Sequence, residues 1–387
     1  MPYSPAHNHY HLSRMREMGR IYWCHSIGAS GISLVAIFIP IFLLKIGYSL
    51  HEVFIYLLLQ QALAAILQYP AARLFEYIRP HRLLIIGNLW YALLFGLLVT
   101  LQARHWPLVL LALAWALTRT IYWAAFHYCF STARAHKHPA RQIAGINALI
   151  MLTTTAAPAI GGVLATAFGI SYVYSAAILL LVVSVIPMLK RDAGPSLTTV
   201  KITWQEIWRM RRDAVANAFN GTVLMAEMNI WPLFVFLLVS SYAGIGLLSS
   251  VIAASSIVVT LYVGRRQEAK GEGHYINRGA AAYGLTSLGR AIAENTFQVF
   301  GLNLLGGVGR SLYVTPYMNR YYTNSDGDGS FRLGYITVME TSFSLGAVLY
   351  TLGLLALAAA FPIKTVLAIG LAFVALAALG VRLIRQH

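Results

Sequence analysis

Residues 107–130 read PLVLLALAWALTRTIYWAAFHYCF, an apolar run with one formal charge, Arg119, near its centre. About 20 mostly apolar residues in a helix cross the hydrocarbon core of a bilayer. The stretch therefore reads as a membrane span, and a charge inside a span is costly enough to be a functional hypothesis by default. Eleven further runs of this kind surround it, near 21–45, 52–72, 83–103, 142–167, 170–189, 214–240, 245–263, 278–297, 299–320, 333–358 and 363–384. The first is too long for a signal peptide and lacks a small-residue cleavage site.

Composition agrees with lipid as the solvent. Of 387 residues, 58% are hydrophobic and 11% charged, with a mean hydropathy of +0.65. Soluble domains run near 45–50% apolar and about 25% charged. A soluble enzyme and a disordered or fibrous chain are excluded. Two cysteines, Cys24 and Cys129, exclude a disulfide scaffold and a paired-cysteine zinc or redox centre.

The net charge of +16 is explained by position. With the N-terminus in the cytoplasm, 23 of the 29 Lys and Arg residues fall in cytoplasmic segments. Only Lys45, Arg104 and Lys364 fall outside, and Arg119, Arg290 and Arg310 lie within spans. Cytoplasmic loops carry such an excess of Lys and Arg. Twelve spans with both termini inside follow, and nucleic-acid binding loses its support. The expected setting is a lipid bilayer, the bacterial inner (plasma) membrane, with the chain a monomer.

The longest polar stretch, 190–213, divides the chain into six-span bundles at 1–189 and 214–387. Trp204-Gln-Glu-Ile-Trp-Arg-Met-Arg-Arg within it is expected to lie as an amphipathic helix on the inner leaflet. The halves echo each other. Arg119-Thr-Ile-Tyr122 recurs as Arg310-Ser-Leu-Tyr313, Arg141 as Arg332, and Ile39-Pro-Ile-Phe42 as Trp231-Pro-Leu-Phe234, at offsets of 191 or 192. Parallel six-span repeats belong to a transporter architecture whose substrate site lies near the midplane between the halves.

With these features the chain resembles the major facilitator superfamily over nearly its whole length. In span five, Ala157-Pro158-Ala159-Ile160-Gly161-Gly162 is similar to the Gly-Pro-x-x-Gly-Gly pattern of that family's antiporters, with Ala157 replacing the first Gly. The loop after span two, from Arg73 through Glu76 and Arg79 to Arg82, keeps an acid and scattered arginines of the family's signature there. The resemblance implies a gating role for Glu76, Arg82, Pro158, Gly161 and Gly162, and a cavity lined by spans one, four, seven and ten. It implies secondary transport of a small solute by alternating access, coupled to protons, with export (efflux by antiport) favoured. Import of an organic anion by symport is the alternative, and a non-transporting sensor or lipid-handling protein on the same fold is the rival from another class.

Charges inside the spans carry the site hypotheses. Trp115, Arg119, Tyr122, Trp123 and Phe126 follow helical spacing on span four, as do Asn303, Arg310, Tyr313 and Tyr317 on span ten. Two guanidiniums among aromatic rings suit a carboxylate or phosphate through paired hydrogen bonds, and the ring faces suit a flat amphiphile. Arg119, Tyr122, Trp123, Arg310, Tyr313 and Tyr317 are the expected substrate residues. Pairing of the arginines with glutamates to stiffen the bundle is the plainer reading. Glu227 in span seven and Glu340 in span eleven are the expected proton carriers, because a buried carboxyl can exchange a proton against a neighbouring arginine. Arg290 and Glu294, four apart, are expected to pair on span nine. With those included, three arginines face three glutamates and the charges cancel. Gln60, Gln61, Gln68, Asn217, Asn220 and Asn229 suit interhelical hydrogen bonding or the pathway wall, and His25 and His127 suit packing or a proton relay.

Other signals are set aside. His7, His9 and His11 lack a carboxylate or thiol beside them. Asn324-Ser-Asp326-Gly-Asp328-Gly329 opens like a calcium loop but lacks its closing Glu, and so reads as a turn. Gly307-Val-Gly309 has no preceding strand and suits close helix contact. No Walker sequence, hydrolase elbow or His/Glu metal signature is present. No cofactor, metal or enzymatic activity is expected.

Overall fold

The structure is a computed structural model and describes residues 5–134, 140–189, 197–270 and 272–385. Twelve long helical rods follow one another among them. In the first half they are α1 (Pro5–Val35, continued by Ile39–Lys45), α2 (Leu50–Arg73), α3 (Pro80–Val99), α4 (Leu108–Arg134), α5 (Ala140–Ala167) and α6 (Ile170–Leu189). In the second they are α7 (Trp204–Met225, continued by Trp231–Val239), α8 (Tyr242–Lys270), α9 (Glu272–Ala291), α10 (Thr296–Asn324), α11 (Gly329–Ala358) and α12 (Ile363–Gly380). Among the described residues, nine helices are long and apolar enough to cross a membrane. The glycines and polar groups of α9 and α10, Arg290, Asn303 and Arg310 among them, dilute their hydropathy.

The repeat is visible in how α1 and α7 break. A proline lacks the N–H that a helix needs and its ring crowds the carbonyl one turn back. Pro40 and Pro232 each stand in the first turn of a restarted helix. The chain reaches Pro40 through a 3₁₀ turn, Ala36–Phe38, and Pro232 through a π turn, Ala226–Ile230, which holds Glu227. Arg141, the repeat partner of Arg332, has its side chain outside the described residues, as do the tail histidines 7, 9 and 11.

Capping corrects two expected boundaries. Thr203 and Glu206 form a reciprocal cap, so the helix beginning at Trp204 runs unbroken into span seven. The segment expected to lie flat on the leaflet is therefore the start of that rod. Asn295 accepts from the Gln298 backbone N–H and starts α10, while α9 ends at Ala291. Glu294 thus lies in the connection, where its N–H donates to Gln298 Oε1, and the expected Arg290–Glu294 pair within one helix does not form.

Packing is mostly within each half. α1 packs on α5 and α6, α3 on α4 and α6, and α2 on α4; α9 packs on α10 and α12, α8 on α10, and α7 on α11 and α12. Two long seams join the halves, α5 against α8 and α2 against α11. Of the span-five glycines, Gly162 makes the first seam close and Gly161 makes the α1–α5 contact close. A Cβ on Gly162 would collide with the Tyr242 carbonyl, and one on Gly161 with the Leu34 carbonyl of α1. Pro158 is buried in the same seam, where the Ala159 N–H donates to Ser250 Oγ at 3.0 Å.

Candidate functional site

A cavity of about 290 Å³ lies between the halves. Its wall comes from α2 (Gln61), α4 (Trp115, Arg119, Trp123, His127), α7 (Asn217, Asn220, Met225, Asn229), α10 (Arg310, Tyr313, Tyr321) and α11 (Glu340, Phe343). Spans four, seven and ten line it as expected. Span one supplies none of the described lining residues; α2 and α11, which form a seam, do so instead.

The halves also touch each other at two places along the bundle. At one, Lys45 Nζ sits 3.9 Å from the Tyr242 ring centroid, and Phe38 meets Tyr242 edge-to-face at 5.5 Å. At the other, Ser131 Oγ and Ser325 Oγ are 2.9 Å apart, Arg332 Nε donates to Ser131 Oγ at 3.1 Å, and the Phe130 and Tyr322 rings lie 4.7 Å apart.

The cavity wall holds an ionic cluster that spans the halves. Arg119 Nη1 donates to Glu340 Oε2 at 2.9 Å. His127 Nε2 is 3.5 Å from the other carboxylate oxygen, and its Nδ1 is 2.8 Å from the Tyr322 hydroxyl. The Arg119 guanidinium lies 4.3 Å from the Phe343 ring centroid, where a cation and an aromatic face attract. Glu340 is 5% exposed and Arg119 6%, yet both border the cavity, so a solute or water inside it can reach them. His127, one turn of helix from Trp123, stacks on that ring at 5.5 Å.

Arg310 lines the same cavity beside Tyr313. Among the described residues, no carboxylate forms an ion pair with it. The repeat-related arginines therefore differ: Arg119 is paired and Arg310 is not.

Glu227 is placed elsewhere. It is buried outside the cavity wall, where Arg290 Nη1 donates to it at 2.6 Å, Nη2 lies at 3.5 Å, and the Tyr283 hydroxyl donates to the same carboxylate. The Trp231 ring covers the guanidinium at 4.8 Å, and Gly306 leaves room for it. Trp231 is itself held by Asn303, which also donates to the Leu248 carbonyl at 2.7 Å. The cavity position expected for Glu227 is not observed, because the π turn rotates it toward α9.

The remaining expected residues divide. Trp123 and Tyr313 line the cavity. Tyr122 does not; its hydroxyl meets His25 Nδ1 at 2.7 Å, on the face of α4 toward α1. Tyr317 also lies behind the wall and donates to Asn217 Oδ1 at 2.7 Å. Glu76 pairs with Arg73 at 3.4 Å, and Arg82 is exposed. Sequence reasoning undervalued two residues. His127 is four beyond Trp123 and eight beyond Arg119, a stripe its position already implied. Gln61 had no such signal, because three glutamines share α2.

Comparison with known proteins follows the same lines. No curated protein sequence matches the chain. Among solved structures, the nucleoside transporter NupG superposes with a TM-score of 0.68 at 10% identity, covering 94% of this chain and 97% of its own. The human organic anion transporter MFSD10 (TETRAN) superposes with a TM-score of 0.66 at 10% identity, covering 94% and 99%. These likenesses concern the fold. Residues 21–319 match the sequence pattern of the Major Facilitator Superfamily, and with that match over most of its length the chain belongs to this family of membrane transporters.

Proposed function

We propose that the chain is a secondary active transporter that moves a small solute by alternating access, coupled to protons at Glu340, with Arg310 as the cation that meets the solute. The observation that carries the reading is the Arg119–Glu340 pair, which joins α4 of one half to α11 of the other in the cavity wall. While Glu340 is ionised, the pair ties the halves together. A proton on Glu340 removes its charge and weakens the tie, and His127, 3.5 Å away, is a second acceptor and donor for that proton. A ligand or proton shifts a two-state equilibrium only through its differential affinity for the two states, and a tie that exists in only one of them supplies that difference. The coupling role first expected of Glu227 belongs to Glu340 in this reading.

Export by proton antiport is the favoured direction, supported by the span-five pattern and its position in the α5–α8 seam, where relative movement of the halves is felt. Import by symport is the second reading, favoured by Arg310 having no carboxylate partner among the described residues. Both termini lie in the cytoplasm, which reporter fusions at Arg20, Lys201 and His387 (inside) and Gly244 (outside) check.

The test uses proteoliposomes loaded with a pH-sensitive dye and a panel of small solutes added outside. A solute that moves protons through the wild type but not through Glu340→Gln supports the reading, and the sign of the movement separates antiport from symport. Solute flux indifferent to a pH gradient, or proton movement unchanged in Glu340→Gln, overturns it.

A further inference from the structure

Three arginines lie within the expected spans, Arg119 and Arg290 buried and Arg310 half-buried, and they share two carboxylates, Glu227 and Glu340, since Glu294 stands in the α9–α10 connection. One of them, Arg310, has no ion-pair partner among the described residues and acts on Glu227 only from beyond contact distance, and it borders the cavity. Arg310 Nε is buried without a hydrogen-bond partner. An unpaired charge inside a membrane protein is costly, so an anion that enters the cavity and leaves it again is a consistent way to balance this one.

A second group in the wall points to what else the solute carries. Gln61 of α2 is 4% exposed, and among the described residues its Oε1 has no hydrogen-bond partner. Its Nε2 reaches only the Met225 sulfur, at 4.0 Å. A carbonyl oxygen gains nothing from a thioether, whereas an amide N–H does. The amide therefore keeps its nitrogen toward Met225 and leaves its oxygen as an open acceptor. Buried acceptors are almost always satisfied, and an open one in a cavity wall calls for a donor on the occupant.

We propose that the transported solute is a small organic anion that also bears a hydrogen-bond donor, its acid group received by Arg310 and its donor by Gln61. This rests on the transporter reading above and sharpens it. Gln61 belongs to the first half and Arg310 to the second, so one molecule touching both bridges the parts that move against each other. The Trp115, Trp123 and Phe343 side chains give its body an apolar wall. A volume of about 290 Å³ is at the lower edge of the roughly 300–1,000 Å³ range of ligand pockets, which suits a metabolite-sized acid better than a bulky amphiphile.

The experiment measures thermal stabilisation of the purified full-length chain, since a ligand of the folded state raises its apparent stability by mass action. Probes are matched sets on a phenyl and on a butyl skeleton: a hydroxy acid, the plain acid, and the hydroxy amine. The expected order is hydroxy acid about tenfold tighter than plain acid, a difference of one hydrogen bond, with no stabilisation by the amine. Gln61→Leu removes the tenfold preference, so that hydroxy acid and plain acid stabilise alike, a pattern that loss of packing alone does not produce. Arg310→Gln removes acid binding, and Arg310→Lys restores part of it. The proposal is overturned if the amines stabilise as well as the acids, if no acid stabilises, or if the hydroxyl preference survives Gln61→Leu. Proton movement in proteoliposomes separates the two levels. Amines that drive it keep the transporter and discard the anion, while acids that bind without driving it keep the site and discard the transporter.

Discussion

Among the described residues two arginine–glutamate pairs are buried, and they are built differently. Glu227 and Arg290 belong to α7 and α9 of the same half, with both terminal guanidinium nitrogens, Nη1 and Nη2, and the Tyr283 hydroxyl converging on one carboxylate beneath Trp231. Arg119 and Glu340 belong to different halves, are joined by a single 2.9 Å bond, and face a cavity with His127 as an alternative partner. Removing charges from water is expensive, and a buried pair recovers that cost only with good geometry and further hydrogen bonds. The first pair meets this condition and has no route to change. The second meets it only in part and can be remade by a proton or a solute. In the proposed mechanism the same residue types serve as a weld in one place and a latch in the other, and the difference lies in whether the partners move together.

The largest expected effect falls on the weld. Glu227→Gln leaves Arg290, 1% exposed, without its counter-charge, at a cost of about 3–5 kcal/mol, seen as a large fall in the thermal midpoint or in folded yield. Replacing both partners with apolar residues, Glu227→Leu with Arg290→Met, recovers most of that loss. A Glu227→Gln protein as stable as wild type would erase the contrast. Next is the α5–α8 seam. Gly162→Ala forces a Cβ into the Tyr242 carbonyl and costs about 1–3 kcal/mol. If it also slows transport more than an equally destabilising change inside one half, the seam is a moving surface.

Smaller effects test the latch. Glu340→Gln leaves Arg119 beside a cavity rather than sealed in protein, so the expected stability loss is about 1–2 kcal/mol, less than half that of Glu227→Gln. The variant still exchanges solute but loses accumulation driven by a pH gradient. His127→Gln is expected to change stability by under about 1 kcal/mol while moving the pH at which transport is half-maximal. A His127→Gln profile that overlays the wild type would remove the imidazole from the proton site.

Much of the fold was legible because membrane spans are long, apolar and bounded by basic loops. The repeat-related Pro40 and Pro232 were legible too, but the helix restarts they mark were not foreseen. Partner choice was harder to read. The i, i+4 spacing of Arg290 and Glu294 pointed to a local pair, yet Asn295 and Gln298 form an N-terminal cap that ends α9 before Glu294. That signal was present and outweighs a weak helix-surface ion pair. Glu227 and Arg290 are 63 residues apart, and only tertiary packing and an unforeseen π turn bring them together. The cavity wall was half legible. The i, i+4, i+8 stripe of Trp115, Arg119 and Trp123 stays in it, but a helix advances 100° per residue, and Tyr122 turns to meet His25 on α1.

The central claim is that the carboxyl which gains and loses a proton is the one between the halves. Infrared difference spectroscopy of the purified protein across a pH titration reads this without a substrate, through the C=O stretch of a protonated buried carboxylic acid. The expected result is a titrating band in the wild type and in the Glu227→Leu/Arg290→Met protein that is absent from Glu340→Gln. A band that persists in Glu340→Gln and vanishes when Glu227 is replaced would contradict the account and make the sealed pair the working one.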